Sequence, residues 1–207
     1  MHDKKLDARY WDERYATGST GWDLGRANSG LIEEVCQRAS KDDRILIPGA
    51  GNAYEAEALW NAGFVNTVVV DWAPQAFSRL RSQDTVAHLA KVGVDVLAQT
   101  KVTDFFDLKS KFDLLLEQTF FCALPPAQRP AYVEQAFRLL QPNGLWLGIL
   151  FNREFPTSGP PFGGTLAEYK QLFSRFFHID HLDVWNHSVG PRLGSELLGV
   201  MRCRTDI

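Results

Sequence analysis

The sequence is poor in several features, and each scarcity removes a class of protein. Its three cysteines, Cys36, Cys122 and Cys203, are far apart and odd in number, so neither a disulfide framework nor a C-x-x-C metal or redox pair can be built from them. No run of lysine or arginine occurs and the net charge is −3. Contacts to a phosphate backbone or an anionic membrane surface need clustered cations, so nucleic acid and membrane are not expected as partners. The longest apolar stretches, such as Leu145 to Phe151, fall short of the roughly 20 residues that cross a bilayer. The opening segment MHDKKLDARYWDERY has no apolar core of a signal peptide, and a cytoplasmic location is the expectation. The five histidines contain no H-E-x-x-H. His178 and His181 fall in a stretch that reads as strand, where a spacing of three puts the rings on opposite faces, so no metal site is expected.

Repeats and low-complexity linkers are also missing. The one loop rich in proline and glycine, Phe155 to Gly164, lies between periodic elements rather than between halves of different character. What remains is a chain of 207 residues with 45% hydrophobic and 23% charged content, enough for one packed core without splitting. A single domain over 1–207 and a monomer are expected.

Apolar, β-rich runs alternate with helical patterns from Arg44 onward, the signature of βαβ units and a mostly parallel sheet covered on both faces. The strands read as Arg44 to Pro48, Thr67 to Asp71, Thr100 to Val102, Phe112 to Glu117, Leu145 to Phe151, and a terminal pair, Ile179 to Trp185 and Leu197 to Arg204, joined by a turn around Gly190-Pro191. Helices are expected over Tyr54 to Ala62, stopped by Gly63, over Pro74 to Arg81, opened by its proline, and over Ala127 to Leu140, before Pro142-Asn143-Gly144. Leu166 to Phe173 reads as a further helix, and Val86 to Gln99 as mostly helix although its apolar spacing fits no single template. Two more helices, Ala8 to Ala16 and Ser29 to Arg38, precede the first strand and flank a turn that holds Trp22.

The chemistry is expected at the strand ends. The first strand runs into Pro48-Gly49-Ala50-Gly51-Asn52 and then a helix, a turn that brings backbone close to a ligand and leaves N–H groups free at the helix start. The second ends in Asp71, twenty residues after Gly51, where a carboxylate can accept from both hydroxyls of a ribose. Glycine turn and acid together point to an adenosine ligand. The dinucleotide fingerprint needs a small residue three positions after the second glycine, and Tyr54 stands there. S-adenosylmethionine carries no pyrophosphate and fits that loop better. Asp104 and Phe105, after the third strand, suit an adenine amino group and ring face, and a turn-capping aspartate is the other reading of Asp104. Trp11, Tyr15 and Trp22 are spaced to gather aromatic faces over a sulfonium.

Four blocks now carry a family likeness: Tyr10-Trp11 through Thr20-Gly21-Trp22-Asp23-Leu24-Gly25; Leu46-Ile47-Pro48-Gly49-Ala50-Gly51; Glu117 through Phe120-Phe121-Cys122-Ala123-Leu124; and Gly159-Pro160-Pro161-Phe162. In these the chain resembles the thiopurine S-methyltransferase superfamily, in the branch of thiol and halide methyltransferases. The resemblance implies an α/β, Rossmann-like class I fold with seven strands, mostly parallel, the last antiparallel. It implies S-adenosylmethionine as cofactor, lined by Trp11, Tyr15, Trp22, Gly49, Asp71, Trp72, Asp104, Phe105 and Gln118 beside the Gly51 turn, with residues 1–40 as a helical lid. Glu117 is also placed in the cofactor site, and stands where the family often has aspartate. Gln118 stands where thiopurine enzymes carry arginine, which counts against thiopurines as substrates.

The expected activity is methyl transfer to a small soft nucleophile: a thiol, sulfide or halide, with thiopurines and selenium or tellurium species in the wider range. Phe120, Phe121 and Phe162 would shape a dry acceptor pocket, and Arg192 would attract an anionic acceptor. A nicotinamide or flavin oxidoreductase and a non-catalytic adenosine-binding module are the competing readings.

Overall fold

The computed structural model describes residues 5–206. Residues 1–4 of the expected 1–40 lid, and Ile207, lie outside the described residues. Seven strands form one sheet: β1 (Ile45–Pro48), β2 (Thr67–Asp71), β3 (Thr100–Val102), β4 (Phe112–Gln118), β5 (Leu140–Phe151), β6 (Phe177–Val184) and β7 (Glu196–Cys203), in the order β3-β2-β1-β4-β5-β7-β6. β1 to β5 pair in parallel, and β7 runs antiparallel to both β5 and β6, as expected.

Burial on both faces explains the continuous apolar strands. β1 and β2 are buried at every position. One face of the sheet packs against α2 (Ser29–Arg38), α3 (Tyr54–Asn61) and α4 (Gln83–Ala90) through Leu31, Val35, Leu59, Trp60 and Leu89. The other packs against α6 (Arg129–Leu139) and α7 (Leu166–Phe173) through Tyr132, Val133, Ala136, Tyr169 and Phe173. The short α5 (Val96–Gln99) leads into β3, and α1 (Ala8–Ala16) opens the described chain. Side-chain caps set several helix starts: Asp7 accepts from the Tyr10 N–H, Asn28 from Leu31, and Thr165 from Glu168.

Two local expectations are corrected and a third is refined. Pro74 to Arg81 is no α-helix; Pro74–Phe77 is a 3₁₀ segment followed by turns, and a helix starts only after Ser82, whose hydroxyl caps α4. Val86 to Gln99 is mostly helix, as expected, but in two pieces, because Gly93 adopts φ +83° and Asp95 caps a new turn by accepting from the Leu97 and Ala98 N–H groups. His178 and His181 share a face of β6. A register shift between Ile179 and His181 sets them opposite Arg202 and Val200, and an extra residue in a strand reverses the alternation of everything after it.

Candidate functional site

The site lies at the carboxyl ends of the parallel strands, where the order reverses between β1 and β4; open α/β sheets bind ligands at such a switch point. After β1, Gly49 and Gly51 both take φ +54°. A Cβ at Gly49 would stand 2.3 Å from the Phe120 ring, and one at Gly51 would stand 2.7 Å from the Tyr15 hydroxyl. Both positions therefore require glycine for conformation and for space.

Two N–H groups of the loop are engaged within the fold. Ala50 donates to the Val70 carbonyl at 3.1 Å, and Gly51 donates to Asp71 Oδ2 at 3.1 Å. The Ala73 N–H donates to Asp71 Oδ1 at 2.9 Å. Each carboxylate oxygen keeps a second lone pair, so Asp71 is fixed in place without being saturated. Burial pushes its carboxyl up to about 6, against the opposing pull of those N–H groups.

A cavity of about 470 Å³ opens above these strand tips, inside the range of small-molecule sites. Trp11, Tyr15, Trp22, Gly49, Asp71, Trp72, Asp104 and Phe105 line it, and so do Phe120 and Arg192. Asp104 is also the turn cap that was its alternative reading, accepting from the Phe106 N–H at 2.9 Å. Trp22 meets Trp11 at 5.4 Å and Tyr15 at 5.8 Å, edge to face in both cases. The aromatic roof is tied down at three points: Arg192 donates to the Trp22 carbonyl at 2.7 Å, the Gln75 N–H donates to Asp12 at 2.8 Å, and the Asn52 amide donates to Asp23.

Five of the expected residues stand outside the cavity lining. Gly51 lies beneath the Tyr15 hydroxyl. Glu117 is fully buried below the floor, its Oε1 accepting from the Phe120 and Phe121 N–H groups at 2.9 and 2.8 Å. Phe121 points into the core against Tyr132, Tyr169 and Phe173. Phe162 donates its N–H to the Cys122 carbonyl at 2.7 Å. Gln118, at the tip of β4, has a buried Oε1 with no partner among the described residues.

Other lining residues escaped the sequence reading: Tyr10, Arg14, Thr119, Phe151, Arg153, Phe155, Pro160 and Pro161. Arg14, whose guanidinium lies 5.8 Å from the Trp22 ring, carried a signal, since it falls four residues after Tyr10 on the same helix face. Thr119 has φ +65°, a left-handed conformation costly for a β-branched residue, and no pattern in the sequence marks it. Cys122 also lines the cavity, but burial and the nearby Glu117 push its thiol up to about 12.

A family model described as Thiopurine S-methyltransferase matches residues 6–207. The chain belongs to that family. It is an S-adenosylmethionine-dependent methyltransferase. Relatives similar to it include a probable thiol methyltransferase 2 of Arabidopsis thaliana, 28% identical over 202 residues that cover 91% of this chain and 82% of the relative. Thiocyanate methyltransferase 1 of Brassica oleracea is 26% identical over 193 residues, covering 91% and 82%. Among solved structures, the 1,6-didemethyltoxoflavin-N1-methyltransferase of Burkholderia thailandensis superposes with a TM-score of 0.69 at 17% identity, covering 97% of this chain and 88% of that one. That likeness is one of fold, the class I methyltransferase sheet.

The residues of this methyltransferase fit its cofactor on their own terms. The Gly49 turn admits no side chain, the unsaturated Asp71 carboxylate suits a pair of hydroxyls, and an orphaned buried acceptor such as Gln118 Oε1 needs a donor from elsewhere.

Proposed function

We propose that this methyltransferase acts on a small soft nucleophile, a thiol, sulfide or halide. One observation carries the reading. Among the described residues, the carboxylates lining the cavity are Asp71, at the end of β2, and Asp104, after β3, and no imidazole lines it. The end beyond β4 and β5 is walled by Phe120, Leu124, Phe151, Phe155 and Pro160 and offers no base. An alcohol or amine acceptor calls for proton removal by a placed group. A thiol of ordinary pKa near 8.5 is a few per cent thiolate at neutral pH, and a halide carries no proton.

When bound, S-adenosylmethionine supplies a methyl group on a sulfonium, which becomes a neutral thioether on transfer. The chain's part is to hold and to exclude. Asp71 accepts from the ribose, Asp104 and Phe105 receive the adenine, and Gly49 and Gln118 border the amino-acid end. Trp11, Tyr15 and Trp22 present aromatic faces to the cation and keep water from it. Trp72 completes that wall, and the described part of the expected 1–40 lid, residues 5–40, covers it. Phe120 bounds the acceptor, Phe121 and Phe162 support that wall from behind, and Glu117 acts through Phe120. Arg192 draws an anionic acceptor inward. Desolvating and aligning a soft anion in such a site supplies most of the rate. A monomer in the cytoplasm is the setting this reading assumes. The relatives named for thiol and thiocyanate methylation support it.

The test is a competition in which purified protein and methyl-labelled cofactor receive iodide, hydrosulfide, thiophenol and a thiopurine side by side. Labelled methyl iodide, methanethiol or thioanisole is expected ahead of the methylated thiopurine. Label on the thiopurine alone, or on none of them, defeats the reading.

A further inference from the structure

The charges at the strand tips under the cavity are segregated. Asp71 ends β2 and Asp104 follows β3, whereas Arg153 follows β5; Arg14, on α1 above them, is engaged by the Tyr10 hydroxyl and the Ser19 carbonyl. In the order β2-β1-β4-β5, three strand spacings separate the acid tip from the cation tip, roughly 14 Å at ~4.8 Å each.

At the cation end four side chains form a row, two rings between two guanidiniums. The Arg192 guanidinium lies 5.6 Å from the Phe151 ring, Phe151 meets Phe155 edge to face at 5.0 Å, and the Arg153 guanidinium lies 5.0 Å from the Phe155 ring. The two cations are differently engaged. Arg192 donates to the Trp22 carbonyl at 2.7 Å and stands 3.6 Å from the buried Glu196. Arg153 has no side-chain hydrogen bond and no ion pair among the described residues; it rests on one aromatic face and leaves its fork of donors open. A planar guanidinium of this kind matches a carboxylate in two-point fashion. A halide or sulfide would leave that fork unused.

We propose that Arg153 reads a second, anionic group on the acceptor, and that the preferred substrate is a small organic thiol acid. The inference rests on the soft-nucleophile reading above: the sulfur meets the apolar wall and the carboxylate meets Arg153. Because Arg153 is exposed, the attraction is partly screened and weakens with salt.

Two measurements on the intact protein test it. The first compares kcat/KM for 3-mercaptopropanoate and 1-propanethiol, thiols that differ in one carboxylate, in the parent and in Arg153→Gln. The parent is expected to favour the acid by about fivefold or more, and the variant to lose about fivefold of that ratio, mostly through KM. The second reads binding without turnover: calorimetry of 3-(methylthio)propanoate added to the S-adenosylhomocysteine complex, about fivefold weaker in Arg153→Gln. If neither thiol is methylated but the product acid binds and weakens in the variant, the anion site stands and the soft-thiol reading falls. If both thiols are methylated without preference, or the variant keeps the parent's ratio and affinity, the role of Arg153 is overturned.

Discussion

Tyr132 donates its hydroxyl hydrogen to Glu117 Oε2 at 2.7 Å, a fully buried contact directly under the cavity floor. The Trp146 indole N–H donates to the same tyrosine oxygen at 3.0 Å, and Glu117 Oε1 holds the N–H groups of Phe120 and Phe121. A chain of hydrogen bonds thus runs from the core of β5 to the left-handed turn at Thr119, and it sets where Phe120 meets Gly49.

Tyr132→Phe cuts that chain in the middle. It leaves the Trp146 N–H without a partner and Glu117 short of one donor. A loss of about 2–3 kcal/mol is expected, seen as a fall of roughly 5–10 °C in Tm for a chain of this size. A Tm within 1–2 °C of the parent would show that the link contributes little.

Glu117 also gives stability a pH dependence. Burial raises its carboxyl from 4.5 to about 7, so the folded protein binds this proton more tightly than the unfolded chain. The contribution is greatest below about pH 4.5 and is lost as pH rises through about 7. Glu117→Gln removes the titration. Relative to the parent, the variant should gain stability with rising pH by up to ~1.4 kcal/mol per unit across that window, measured by urea unfolding at several pH values. Parallel stability curves would contradict this.

Asp71, raised from 3.8 to about 6, should govern cofactor affinity in a related way. Its ionised form accepts hydroxyl hydrogens from the ribose, so the Kd for S-adenosylhomocysteine is expected to rise as pH falls through about 6. Asp71→Asn should bind at least tenfold more weakly above that pH and show a flat profile. A parent Kd constant from pH 5 to 8 would remove Asp71 from ribose binding.

At Gly49, alanine faces a left-handed backbone and the Phe120 ring at 2.3 Å. Gly49→Ala should force that ring aside and weaken S-adenosylhomocysteine at least tenfold, while thermal unfolding still reports one folded protein. Unchanged affinity would mean that the turn and Phe120 move freely.

Much of the frame was legible before any coordinates. The runs Ile45–Pro48 and Thr67–Asp71 are buried at every position, which is why they read as continuous apolar segments, and the breaker Gly63 takes the positive φ that stops α3. Asp71 and the glycine turn were legible because both follow strands directly. Glu117 was not: its place in a family block suggested a ligand contact, yet all its bonds run to groups of its own chain.

Local sequence determined the alternation of strands and helices, the glycine positions and the acid at the tip of β2, since each depends on neighbours within a few residues. Only the tertiary structure decided which side chains share the cavity. Arg192 reaches the carbonyl of Trp22 across 170 residues of chain, and Phe151 meets Phe155 and Arg192 around the end of β5. Such contacts are made by packing between elements, and packing leaves no periodic trace in the order of residues.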